Sequence, residues 1–106
     1  LKREALKRLF VTTSESVLLA LLDGELHNDR LAEKVGLSPQ YLVRVLNKLE
    51  RHRLIFSRHV SVRRINRLTS LGRLLAENAR ERAEIIAGIK SGKFDLSRDE
   101  LFEVYS

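Results

Sequence analysis

Residues Asn28 to Arg53, NDRLAEKVGLSPQYLVRVLNKLERHR, constrain the fold of this chain more than any other stretch. Leu31, Ala32 and Val35, then Leu42, Val45, Leu46 and Leu49, recur at the three-and-four spacing that gives a helix one buried face. Gly36 stands between the two sets and can take the left-handed conformation that closes a helix, with Leu37 folding back as an apolar plug. Ser38 then offers a capping oxygen, and Pro39 suits the first helical position, where its missing N–H costs nothing. The pattern predicts two short helices joined by a tight turn, the second running from Ser38 to Arg51.

Around that second helix, at about 100° per residue, the four apolar residues gather on one side. Gln40, Arg44, Asn47, Lys48 and Arg51 fall on the other. These are side chains that read base edges and phosphates: Arg can bond guanine through two N–H groups, Asn and Gln can bond adenine, and Lys adds a phosphate contact. A polar outer face is also what any solvated helix carries, so the charge distribution has to decide between the two.

The chain has a net charge of +6, but the excess is local. From Ser38 to Arg73 nine Arg and Lys face Glu50 alone, 9 − 1 = +8, while the remainder holds 11 basic and 13 acidic residues, 11 − 13 = −2. A one-sided basic field of this kind attracts a polyanion and makes binding salt-dependent. A merely solvated surface would mix the signs.

The segment after Arg53 changes period. Leu54, Ile55 and Phe56, then Val62 to Thr69 with Arg63, Arg64 and Arg67 interleaved, predict a β-hairpin with its tip near His59 to Arg63. Arg58, Arg63 and Arg64 fall near that tip, where arginines can straddle a phosphate backbone or enter a minor groove. Upstream, Thr12 and Glu15 form a capping-box signal for a helix from about Thr13 to Leu22, with Val17, Leu18, Leu21 and Leu22 as its core face. Glu25 to His27 reads as one short strand, and Asn28 as the cap of the next helix. Leu1 to Phe10 reads as an amphipathic helix whose basic residues could reach DNA backbone but whose apolar stripe points to packing.

Thr69 can cap a long helix from about Ser70 to Ile89, on the order of 30 Å at 1.5 Å per residue. Leu71, Leu74, Leu75, Ile85, Ile86 and Ile89 make one stripe, with Asn78 and Arg82 set into it; Ala76, Ala79, Ala83 and Ala87 make a second. Two stripes predict two packing partners, and the small alanine face suits close approach of the same helix from a second copy. Ser97 and Glu100 make another capping box before Arg98 to Tyr105, with Leu101 and Phe102 as apolar anchors. The expected dimer surface is Leu71, Leu74, Leu75, Ala79, Ile85, Ile86, Ile89, Leu101 and Phe102.

Two stretches, LAEKVGLSPQYLVRVLNKLERHRLI and INRLTSLGRLLAE, resemble the winged-helix branch of the helix-turn-helix family, the group of MarR-like, ArsR-like and PadR-like regulators. The resemblance covers roughly Ser14 to Ala87. It implies a mainly α fold with a small β-hairpin, the wing, in one domain over residues 1–106: a winged-helix core over 11–69, with 1–10 and 70–106 as flanking, dimerising helices. It also implies a homodimeric, sequence-specific binder of double-stranded DNA that regulates transcription. The helix from Ser38 would enter the major groove of roughly palindromic sites whose half-sites lie about one turn apart. Gln40, Tyr41, Arg44 and Asn47 are the candidates for base contacts, and Lys48, Arg51, Arg58, Arg63 and Arg64 for phosphate, with Ser38 at the helix start included in the same set. Tyr41 could equally pack on the supporting helix.

Composition narrows the alternatives. The 43% hydrophobic content is enough for one small core, and aromatics at 6% without Trp do not make a single-strand stacking platform. No Cys is present, and His27, His52 and His59 are a thin ligand set, so neither a metal nor any other cofactor is expected. All five glycines stand alone, so there is no phosphate-cradling loop, and no Ser, His and Asp constellation supports catalysis. No apolar run approaches membrane-spanning length, which predicts a cytoplasmic protein without a membrane partner. The absence of Met at position 1 suggests that residues precede Leu1. A small-molecule effector is left open, with no visible pocket for one. The competing reading is a winged-helix interaction module of a replication, repair or transcription assembly, since one fold serves many functions.

Overall fold

The computed structural model describes residues 11–91. In order they form α1 (Thr13–Ala20), β1 (Leu26–His27), α2 (Asn28–Val35), α3 (Pro39–Arg51), β2 (Ile55–Val60), β3 (Arg63–Leu68) and α4 (Ser70–Ser91). The helices expected over Leu1–Phe10 and Arg98–Tyr105 lie outside the described residues, as do Leu101, Phe102 and the side chain of Ile89.

The local signals act as their chemistry dictates. Glu15 N–H donates to Thr12 Oγ1 at 3.1 Å and Thr12 N–H donates to Glu15 Oε1 at 3.2 Å, a complete capping box at the start of α1. This helix ends at Ala20 rather than Leu22, because the next N–H groups turn to nearer carbonyls: Leu21 to Leu18 at 3.1 Å and Leu22 to Leu19 at 3.2 Å. Gly36 takes φ 69° and closes α2, with the Leu37 N–H reaching back to the Ala32 carbonyl at 3.1 Å. Ser38 Oγ accepts the Tyr41 N–H at 3.2 Å and Pro39 opens α3.

One cap differs from expectation. His27, not Asn28, holds the capping position of α2, its Nδ1 accepting the Arg30 N–H at 3.4 Å. Asn28 is drawn away because its Oδ1 accepts from Asn66 Nδ2 at 2.8 Å.

The strands form an antiparallel sheet in the order β1-β3-β2. Ile55 pairs with Leu68, Ser57 with Asn66 and Val60 with Arg63, leaving Ser61 and Val62 as a two-residue turn. Ser61 takes φ 58°, the positive value that such hairpin turns require at their first residue. Val17, Leu18 and Leu21 of the α1 segment, Leu31 and Ala32 of α2, Leu42, Val45, Leu46 and Leu49 of α3, Ile55 of β2 and Ala76 of α4 make one core. The four α3 residues are those that its periodicity singled out.

Helix α4 is anchored at its start. Thr69 Oγ1 accepts the Gly72 N–H at 3.1 Å, the expected cap, and donates to the Arg53 carbonyl at 2.6 Å. Gly72 lies so close to the Leu54 backbone that an added Cβ would sit 1.8 Å from the Leu54 carbonyl oxygen. Further along, α4 packs on α1, and Arg82 pairs with both Asn78 and the Glu15 carboxylate of α1.

This packing corrects the expected dimer surface. Ala76 and Ala79 are wholly buried within the chain and Ile86 is 7% exposed, so the first half of the alanine stripe is an intramolecular face, while Ala83 is half-buried and Ala87 exposed. Small side chains let α4 approach its own core, and Arg82, bonded to Asn78, supports that contact through Glu15. Leu71, Leu74, Leu75 and Ile85 remain exposed on the other side.

Candidate nucleic-acid interface

Helix α3 carries its apolar side chains into the core and leaves Gln40, Tyr41, Arg44, Asn47, Lys48 and Arg51 exposed on the opposite side. The burial of Leu42, Val45, Leu46 and Leu49 fixes that orientation, because rotating the helix would take all four out of the core. Tyr41 is 49% exposed, so its ring does not serve the core. Ser38 spends its oxygen as an acceptor on the cap and keeps a hydroxyl proton to donate.

The wing separates its three candidate arginines into different environments. Arg63 is exposed beside the turn. Arg58 Nη2 lies 3.0 Å from the Glu25 Oε1, a partly exposed ion pair between β2 and the segment before β1. Arg64 is not at the free surface: its side chain is only 13% exposed, and Nη1 donates to Asn47 Oδ1 on α3 at 2.9 Å. Its Nη2 is 3.6 Å from Glu50 Oε1, close enough for attraction but without hydrogen-bond geometry, and Nε likewise has no hydrogen-bond partner. Two residues assigned by sequence to separate contacts, Asn47 to bases and Arg64 to phosphate, are thus bonded to each other. Glu50, the lone acidic residue of the basic segment, faces the buried guanidinium.

Three features were missed by sequence reasoning. Asn66 is wholly buried in β3, where Nδ2 donates to the Leu26 carbonyl at 3.2 Å and to Asn28 Oδ1, while Oδ1 accepts from Ser57 Oγ at 2.8 Å. The register would have revealed it, since a turn at Ser61-Val62 sets Ser57 opposite Asn66 and puts both on the face of Ile55 and Leu68. Val62, 95% exposed and not singled out by sequence, forms the extreme of the wing tip inside the expected His59 to Arg63 range, with Arg63 beside it. Arg67 lies over the Phe56 ring at 5.0 Å, a cation–π pair on the outer face of the hairpin.

No protein-family model and no curated protein matches the sequence. Solved structures do match in shape. A variant of Lactococcus lactis ZitR in complex with DNA superposes with a TM-score of 0.72 at 25% identity, over 88% of this chain and 66% of that one. The adhesin competence repressor AdcR of Streptococcus pyogenes gives 0.71 at 18% identity over 96% and 81% of the two chains. The PcaV transcriptional regulator of Streptomyces coelicolor, solved with its natural ligand, gives 0.69 at 21% over 87% and 68%. The chain has a MarR-like winged helix-turn-helix fold. In this winged helix α2 and α3 are the helix-turn-helix, β2 and β3 the wing, and α4 the helix that leaves it. ZitR is a zinc-responsive MarR family member. Among the described residues of this winged helix no three His, Asp or Glu side chains come together to hold a metal ion, and no described helix is long and apolar enough to cross a membrane.

Proposed function

We propose that the protein is a sequence-specific double-stranded DNA-binding regulator of transcription that acts as a homodimer. The observation that carries this reading is the single outward face of α3, where Gln40, Arg44, Asn47 and Arg51 stand clear of the core beside a basic wing. A similarly folded ZitR variant is known in complex with DNA. In this reading α3 lies in the major groove, Gln40, Tyr41, Arg44 and Asn47 reach base edges, and Ser38, Lys48 and Arg51 hold backbone. Arg63 and the wing tip meet the adjacent backbone or minor groove. Arg58 contributes only if it exchanges Glu25 for a phosphate, and Arg64 acts through α3.

The dimer is built by the flanking segments, residues 70–106 and 1–10, around the winged core at 11–69. Support comes from Leu71, Leu74, Leu75 and Ile85, exposed at 51%, 64%, 44% and 52% along α4. Fully burying each such side chain stabilises an association by roughly 1.5 to 3 kcal/mol before the cost of association is counted.

Selection of bound duplexes from a random library at two salt concentrations tests the whole reading. An inverted repeat, with half-sites about one helical turn apart, is the expected outcome. Recovery of no motif, with binding that vanishes as salt rises, would leave only a basic surface and favour an interaction module instead.

A further inference from the structure

We infer that Arg64 is a positioning residue that holds Asn47 Oδ1 toward the wing and leaves its Nδ2 donors to face DNA, so that Asn47 selects guanine rather than adenine. The inference rests on the DNA-binding reading above and specifies the chemistry of one position within it. Arg64 Nη1 donates to Asn47 Oδ1 at 2.9 Å. A guanidinium has five N–H donors and no acceptor, so the Asn47 amide can meet it only through oxygen. The guanidinium is itself held: the Arg64 side chain is 13% exposed between wing and α3, and its Nη2 is 3.6 Å from the Glu50 carboxylate. Asn47 remains exposed, on the same outward side of α3 as Gln40, Arg44 and Arg51.

Paired recognition of adenine needs both ends of the amide, Nδ2–H to N7 and Oδ1 accepting from the N6 amine. In this chain one lone pair of that oxygen is taken by Arg64, a bond that aims Oδ1 at the wing. Nδ2 keeps two N–H donors, and guanine presents two adjacent acceptors, N7 and O6, on its major-groove edge. Turning the amide to suit adenine would leave Arg64 Nη1 without its acceptor, beside Nε and Nη2 that already have none. Arg64 of the wing and Glu50 of α3 therefore decide what the exposed Asn47 can read.

The test is duplex selection with the full chain, run in parallel for the wild type, Asn47→Ala, Asn47→Asp and Arg64→Met. Asn47→Ala marks the position in question as the one whose preference it flattens. The expected result is guanine there in the wild type, preferred roughly tenfold over adenine. Arg64→Met should move that position toward adenine and leave the others unchanged. Asn47→Asp, which keeps a partner for Arg64 but has no donor, should lose the guanine; it serves as the test even if Arg64→Met fails to fold. Adenine at that position in the wild type, an Asn47→Asp or Arg64→Met motif identical to the wild type, or no effect of Asn47→Ala would overturn the inference while leaving a DNA-binding protein. A wild-type selection without any motif overturns both.

Discussion

Asn66 Nδ2 in the wing donates to Asn28 Oδ1 at the start of α2 across 2.8 Å, and this bond joins the hairpin to the helix-turn-helix. The Asn66 amide also bonds Leu26 and Ser57, so in a wholly buried polar group both N–H donors and the carbonyl oxygen are each bonded to a neighbouring element. A buried amide left unpaired would cost far more than the pairs contribute, which makes this position sensitive in both directions.

Asn66→Ala is expected to destabilise the fold by about 1 to 3 kcal/mol, since it strands Asn28, Ser57 and the Leu26 carbonyl at once. Urea denaturation gives the number, and a midpoint equal to that of the wild type would show that water replaces the amide without loss.

Gly72→Ala should be at least as damaging, by about 2 kcal/mol or more, because the new Cβ falls on the Leu54 carbonyl. The backbone is the obstacle, so no rotamer change relieves it. Thermal melting of Gly72→Ala beside the wild type checks this, and an unchanged melting temperature would contradict the close approach.

His27→Ser is expected to raise stability by roughly 0.5 to 1 kcal/mol, as a hydroxyl makes a better cap than an imidazole bonded at 3.4 Å. Unchanged or lower stability would mean that the half-buried ring contributes packing worth as much as the cap.

Arg44→Ala should lower specific affinity by about 1 to 3 kcal/mol and relax preference at one base pair, whereas Lys48→Ala should weaken all duplexes evenly and reduce the salt slope by about one. Binding titrations over several salt concentrations separate the two. An Arg44→Ala variant with unaltered sequence preference removes that residue from the reading set.

Leu74→Glu should shift the protein to a monomer in sedimentation with its helical signal intact, because this side chain is 64% exposed in the single chain. Ala79→Glu should instead unfold it, since Ala79 is wholly buried against its own chain. A dimer that survives Leu74→Glu would place the association elsewhere.

Much of this architecture was legible in residue spacing. The four core residues of α3, the left-handed Gly36, the caps at Thr12, Ser38 and Thr69 and the hairpin after Arg53 all followed from signals a few residues long. The outward set on α3 followed too, because placing its apolar stripe in the core leaves only one side for the rest. Where the reading failed, the deciding neighbour was remote. The alanine stripe of α4 has the composition of a helix contact, but nothing within the helix says whether that contact is to α1 or to a second copy.

Among the described residues, sequence alone thus determined which segments form helices and strands, which face of each is apolar and where the positive charge concentrates, since all three depend on neighbours within one or two turns. Tertiary structure decided which polar groups remain free. Arg64 meets Asn47 from 17 positions away, and Asn66 meets Asn28 from 38. Those bonds exist only because hairpin register and helix packing bring distant residues within 3 Å, a condition that no local periodicity encodes.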